Sequence, residues 1–429
     1  MRQPLTTRQQ EIVDLAGSLA LEFGERAAEH DRDATFPFEN YDRMRDAGYL
    51  GLTVPEELGG RGASLYELLL AQERLATGCS ATALAVNMHV SPIGQLAILW
   101  RRTGDPNLEQ SLRDAAAGRT IYAAMTAERG HSVLMDSHTI AERVDGGFRV
   151  TGDKIFGTES AVCTQFTSMA RYEDPVTGPR VLFFRIPRDS DGMTVKQTWD
   201  TMGMRGTQSN DFRLDGVFVP EDAVFHSFPV GHFDAIMLKT VWCWAQPSFG
   251  AVYLGIGLGA MEYAREQAIK RGTASSPQIQ QLFAEMEILL ETARAVLYRH
   301  AAEVEADLIA DRLEVQEGMA RAVLAKYVAG NHAAQIVDKA MHVVGGSGYY
   351  RRSPLERMYR DVRAGTIMPA NNVEAFELIG RTAVGIEVAP AIPLAESGPN
   401  SLPREPAGEL RTWGRKANPV AADDVPAPA

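Results

Sequence analysis

The spacing of apolar residues divides the chain into stretches of different period. In "QEIVDLAGSLALEFGERAAEH", Ile12, Leu15, Leu19 and Phe23 recur every three or four residues, the mark of a helix with one buried face. "ENYDRMRDAGYLGL" predicts a second helix that stops near Gly48. "GASLYELLLAQERLA" and "TALAVNMHVSPIGQLAILWRR" predict a third and a fourth, both apolar enough to be well buried. Near Arg119 the period changes. "TIYAAMTAE", "FRVTGDKIFGTES", "TQFTSMARY", "RVLFFRIP", "GMTVKQTWD" and "NDFRLDGVFVP" are short and rich in β-branched and aromatic residues, and "VDGG", "EDPVTGP" and "RDSDG" punctuate them as turns. From about Asp234 helical spacing returns in longer runs, "LFAEMEILLETARAVLYRHAAEVEADLIADR" and "QEGMARAVLAKYVAGNHAAQIVDKAMHVV", which pack as a bundle.

The predicted architecture is therefore a multi-domain α+β chain. A helical domain covers 1–118, a β-sandwich or barrel 119–233, and a helical bundle 234–387. Residues 388–429 are rich in Pro and Ala, lack a period and read as a flexible tail, with Trp413 in it.

Composition changes this picture little. The 429 residues are 45% hydrophobic and 23% charged, an ordinary soluble profile. A net charge of −12 without a basic block argues against a nucleic-acid partner. Cys79, Cys163 and Cys243 lie far apart, and no pair at metal-ligand spacing occurs, so neither a disulfide framework nor a metal site is expected. No apolar signal region opens the chain and no run reads as long enough for a bilayer, so the expectation is a cytoplasmic protein without a membrane segment.

Several short stretches invite a chemical reading. "GIGLGA" (255–260) has the GxGxxA form of a dinucleotide fingerprint but sits inside an apolar helical run, where close helix approach is the better account. "VVGGSGYY" (343–350) ends a long helix, and its glycines serve either a helix C-terminus or a bare surface for a pyrophosphate. "MTAERGHS" (125–132) and "DKIFGTES" (153–160) end strands with hydroxyls, acids, a histidine and an aromatic. In "TIMPANNVEAFELIG" (366–380), Pro369 precedes two asparagines and an amphipathic helix, so an Asn cap is predicted there.

"GYLGLTVPEELGGRGAS", "TMGMRGTQSNDFRLDGVFVPED" and "GGSGYYRRSPLERMYRDVRAG" occur in an order and spacing that resemble the acyl-CoA dehydrogenase superfamily, from about Gln9 to Gly385. The resemblance implies an N-terminal helical domain, a middle β domain, a C-terminal four-helix bundle, FAD, and a homotetramer or homodimer. Carried over by position, it implies flavin contacts at Thr126, Ser132, Phe156 and Thr158. It also implies that Gly345 and Gly346 lie beside the pyrophosphate of a neighbouring subunit's FAD, with His342 before them where the family has glutamine, and a cofactor contact at Arg271.

The departures are as informative. After Arg271 the segment "KRGTASSPQIQQLF" lacks the pair of residues expected to reach a partner's adenosine. The family's Tyr-Glu-Gly-Thr aligns with Met368, Pro369, Ala370 and Asn371, so the glutamate that removes the α-proton of an acyl thioester is Pro369 here, and Asn371 stands for a flavin-contacting threonine. Loss of a general base costs on the order of 10²–10⁴-fold, and proline also lacks the N–H that would polarise a carbonyl. The alternative place for a base in some relatives is Ala245 or Gln246, and neither is basic.

Two readings follow. One is α,β-dehydrogenation of an acyl thioester on CoA or an acyl-carrier protein, with an electron-transfer partner and a relocated base drawn from Glu128, His131, Glu159 and His89. The other is a flavin-dependent monooxygenase on the same scaffold, which takes reduced flavin from a flavin reductase and uses O2. The dehydrogenase-like "GMRG" and "FVPED" stretches favour the first.

Overall fold

The computed structural model describes residues 4–130, 135–309 and 314–392. Its first part is helical: α1 (Thr7–Asp33), α2 (Phe38–Asp46), α3 (Leu65–Ala76), α4 (Ser80–Thr103) and α5 (Pro106–Ala116). Capping residues set the starts. Thr6 and Gln9 bond each other's backbone N–H groups ahead of α1, as Ser64 and Glu67 do ahead of α3, and Asp105 caps α5 with Pro106 in its first turn. Ile12, Leu19 and Phe23 form the buried stripe of α1. One sequence expectation is corrected here. Helix α4, at 24 residues and a mean hydropathy of 1.2, is long and apolar enough to cross a bilayer, but 78% of that window is buried inside the protein. It is apolar because it is packed on most sides.

The middle part is one eight-stranded sheet built from β1 (Tyr122–Met125), β2 (Ile140–Val144), β3 (Gly147–Gly157), β4 (Gln165–Asp174), β5 (Gly178–Pro187), β6 (Met193–Lys196), β7 (Asn210–Pro220) and β8 (Val224–Pro229). The order is β6-β7-β3-β2-β4-β5-β8, with β1 parallel to β4. Register slips in the β3–β7 pairing after Val150 and again after Lys154, so the end of β3 departs from the ladder.

The chain then returns to helices: α6 (Ala235–Lys270), α7 (Pro277–Ile309), α8 (Val315–Val344), α9 (Pro354–Asp361), α10 (Ala364–Ile367) and α11 (Asn372–Ala383). The glycines of "GIGLGA" lie inside α6. A Cβ on Gly255 would stand 2.2 Å from Glu73 O of α3, one on Gly257 3.2 Å from Ala333 Cα of α8, and one on Gly259 2.8 Å from Thr77 O. They are contact points between helices, and they lie inside α6, not in a turn between a strand and a helix.

Asp361 joins all three parts. Its carboxylate accepts from Met204 N–H of the "GMRG" loop at 2.6 Å and from the Ser80 hydroxyl at the start of α4. Residues expected to begin a tail at 388 are docked instead. Val388 N–H donates to Gln316 Oε1 at 2.8 Å, and β10 (Ala391–Ile392) pairs in parallel with β9 (Phe233–Asp234). The remainder of that segment, with Trp413, lies outside the described residues.

Candidate active site

The strand ends of β1 and β3 meet. Ile155 N–H donates to Ala127 O at 2.9 Å, which sets half-buried Thr126 beside the "IFGT" turn. Phe156 takes a left-handed φ of 58° and leaves its ring half exposed, edge-on to Trp199 at 6.1 Å. Gly157 is required there, because a Cβ would stand 2.1 Å from the Phe212 ring. The Thr158 hydroxyl is turned inward onto Ser209 Oγ at 2.8 Å. Glu159 is again left-handed, at φ 66°. Two strained non-glycine residues within four positions are the kind of backbone that surrounding structure must enforce. Ser132 and His131 lie outside the described residues.

The glycine loop after α8 is open. Gly345 has φ 66°, and neither Gly345 nor Gly346 would bring a Cβ within 4 Å of another group. This bare, exposed backbone suits the approach of a phosphate. Arg271 shapes the loop from within the same chain, donating to Val344 O at 2.6 Å and to Ser347 Oγ at 2.5 Å. Its guanidinium is thus engaged on the loop. His342 is exposed, with Nε2 3.9 Å from Asp338.

Of the four residues named as a possible relocated base, the described three are committed elsewhere. Glu128 is buried and accepts from Ser137 Oγ, Thr139 Oγ1, His138 N–H and Lys154 Nζ at 2.5–2.7 Å. Burial opposes its ionisation, but the Lys154 charge and the donors prevail and hold it at about 2, too acidic for a general base. His89 is fully buried. Its Nδ1 accepts from Tyr122 N–H at 3.1 Å, so Nε2 carries the proton donated to Leu50 O at 3.0 Å. Burial brings its pKa down to about 4, and both nitrogens are occupied. Glu159 is buried against Tyr41, whose hydroxyl donates to Oε1, and burial pushes this carboxyl well above its usual range.

The turn at Pro369, where the resemblance places the family's acid, is held by side chains of two bundle helices. Pro369 is exposed, while Ala370 behind it is buried. Ala370 N–H donates to Gln246 Oε1 of α6 at 3.2 Å. Lys326 Nζ of α8 donates to Met368 O and Ala370 O, both at 2.6 Å. Asn371 Oδ1 accepts from Val373 N–H and Glu374 N–H, and the Glu374 carboxylate returns a bond to Asn371 N–H, so Asn371 caps α11. Gln246 was weighed from the sequence only as a place for a base, and Lys154, Lys326 and Tyr41 were not singled out. The available signal was a lysine inside an apolar stripe, where Ala322, Ala325 and Ala329 surround Lys326 at helical spacing.

Three family models match the chain: acyl-CoA dehydrogenase N-terminal domain over 6–112, middle domain over 123–217 and C-terminal domain over 250–380. YdbM of Bacillus subtilis (strain 168), provisionally named an acyl-CoA dehydrogenase, is 33% identical over 374 residues, covering 84% of this chain and 93% of the relative. The amino sugar nitrososynthase DnmZ of Streptomyces peucetius is 31% identical over 397 residues, covering 89% and 95%. The structure of KijD3 with FMN and dTDP-3-amino-2,3,6-trideoxy-4-keto-3-methyl-D-glucose superposes with a TM-score of 0.80 at 29% identity, covering 90% and 95%. The chain belongs to the acyl-CoA dehydrogenase family and is a flavin-dependent oxidoreductase. The exposed Phe156 ring, the half-buried Thr126 and the bare Gly345–Gly346 backbone fit such a cofactor.

Proposed function

We propose that this chain is a flavin-dependent monooxygenase which N-hydroxylates an amine-bearing substrate. The observation that carries the reading is the Pro369 turn. Where an α-proton acceptor belongs there is an exposed proline, and Glu128, His89 and Glu159 are each held by partners or burial that unfit them for the task. Oxygen insertion needs no such acceptor. In the balanced reaction, reduced flavin supplies two electrons, one atom of O2 enters the substrate N–H bond, and the other leaves as water. The likeness to an amino sugar nitrososynthase, and to a structure holding an amino keto sugar nucleotide, supports a sugar amine as the substrate class.

The protein's own residues do the holding. Phe156 would offer a face to the flavin ring and Thr126 a hydroxyl at its edge, while the Gly345–Gly346 backbone N–H groups would face the phosphates of a neighbouring copy's flavin. We take the flavin as FAD or FMN supplied in reduced form by a separate reductase. The exposed apolar residues Ile367, Val373, Phe376 and Val384, on and beside α11, support contact between copies of the chain.

A second reading, α,β-dehydrogenation of an acyl thioester, is favoured by the likeness to YdbM. One experiment separates them. With a flavin reductase, NADH and O2, an aminodeoxy sugar nucleotide should raise oxygen uptake and yield a product heavier by one oxygen, while anaerobic acyl-CoA leaves the flavin unbleached. Anaerobic bleaching by an acyl-CoA, without oxygen-dependent product, would overturn the monooxygenase reading.

A further inference from the structure

Among the described residues, a buried lysine on α8 has no carboxylate at bonding distance, and its hydrogen bonds go to one turn. Lys326 is 1% exposed. Its two acceptors, Met368 O and Ala370 O, are the carbonyls that flank Pro369. The backbone around it is closely packed. α6 crosses α8 so closely at Gly250 that a Cβ there would stand 3.3 Å from Lys326 Cα. One turn further along α8, a Cβ on Gly330 would stand 2.9 Å from Gly365 O of α10, and Gly365 itself lies against the Tyr253 ring of α6. α10 is therefore wedged between two bundle helices. The turn that follows has its carbonyls at 368 and 370 and its N–H at 370 bonded by side chains of those helices.

We propose that Lys326 is the positioning residue of this site: its ammonium, bound to the carbonyls on both sides of Pro369, holds the turn and the Asn371 cap of α11 against the flavin. The inference rests on the flavin reading of the site, but not on the choice between oxygenase and dehydrogenase. Two neutral acceptors hold the ammonium less firmly than a carboxylate would, so its charge is open to pH. Burial brings Lys326 down to about 8, and Glu374 of α11, itself bound to Asn371 N–H, opposes that fall. Glu374 is the charged group acting on Lys326 among the described residues of α6, α8, α10 and α11. As pH rises through about 8 the ammonium is lost, and the two charge-assisted bonds weaken to ordinary ones.

The test uses the full chain reconstituted with flavin, with Lys326→Met and Lys326→Arg beside it. Flavin affinity, the visible flavin spectrum and, where a substrate turns over, KM and kcat are followed from pH 6.5 to 9.5. In the parent protein, flavin affinity should weaken about tenfold across pH 8, with a shift in the visible band and a rise in KM larger than any fall in kcat. Lys326→Met should show the weakened affinity at every pH, with a flat profile, and Lys326→Arg should restore most of it. A parent protein whose flavin affinity and spectrum do not change between pH 7 and 9.5 overturns the proposal, and this arm does not require Lys326→Met to fold. So does a Lys326→Met variant indistinguishable from the parent, or a Lys326→Arg variant as weak as Lys326→Met. If neither amines nor thioesters turn over, the monooxygenase reading fails while the flavin measurements still decide the role of Lys326.

Discussion

Lys154 Nζ lies 2.5 Å from Glu128 Oε1, and the two side chains are 0% and 3% exposed. Lys154 also donates to Met169 O at 2.7 Å, so the ammonium ties the segment after β1 to β3 and β4. Its removal strands a buried carboxylate. Lys154→Met should destabilise the protein by about 3–5 kcal/mol, measured by urea unfolding at pH 7. The acid limb should change too. Glu128 is held at about 2 from an ordinary 4.5, so its contribution is complete above 4.5 and is lost as pH falls toward 2. In Lys154→Met that acid-dependent loss should shrink.

Glu159 shows the opposite sign. Its folded carboxyl stays protonated while the unfolded chain ionises above an ordinary 4.5, so it lowers stability by about 1.4 kcal/mol for each pH unit above that value until the folded group itself ionises. Glu159→Gln removes this slope and keeps an acceptor for the Tyr41 hydroxyl. The variant should gain on the parent between pH 5 and pH 8 in chemical unfolding. Parallel curves for the two proteins would show that Glu159 is ionised in the fold.

Gly255→Ala tests the close approach of α6 to α3. The added methyl would stand 2.2 Å from Glu73 O and 2.8 Å from Ala76 Cβ, both on a buried helix. A cost of about 1–3 kcal/mol or somewhat more is expected, with flavin binding retained in the folded fraction. Selective loss of flavin at unchanged stability would return "GIGLGA" to the role of a nucleotide fingerprint.

Pro369→Glu places a carboxyl where the resemblance puts the family's acid, on an exposed turn where substitution alters stability by less than about 1 kcal/mol. The parent should show no bleaching of its flavin by anaerobic acyl-CoA, and the variant should acquire slow bleaching. The measurement is visible absorbance in a sealed cuvette. A variant as inert as the parent would place position 369 out of reach of the reacting carbon.

The periods of the apolar pattern were sufficient for the order of helices, strands and bundle, because burial on one face repeats every 3.6 residues in a helix and every two in a strand. The likeness of "TMGMRGTQSN" and "RDVR" to a family was also legible in the chain. What it could not show is that Asp361 and Met204 are bonded partners 157 positions apart. The absence of an acid at 369 could be read by alignment, and so could the Asn371 cap, because a cap is a contact between residues two or three positions apart.

The fates of Glu128, His89 and Glu159 depended on tertiary structure alone. A side chain's basicity is set by solvent exclusion and by donors such as Lys154, Tyr122 N–H and Tyr41, which arrive from other strands and helices. The same holds for Lys326, whose acceptors lie 42 and 44 residues away. α4 is a further case. Its composition alone passes for a membrane span, and only the helices and sheet packed around it make it the core of the fold. Local sequence thus fixes which periodic faces and caps form, while charge, proton affinity and access belong to neighbours that folding brings from far along the chain.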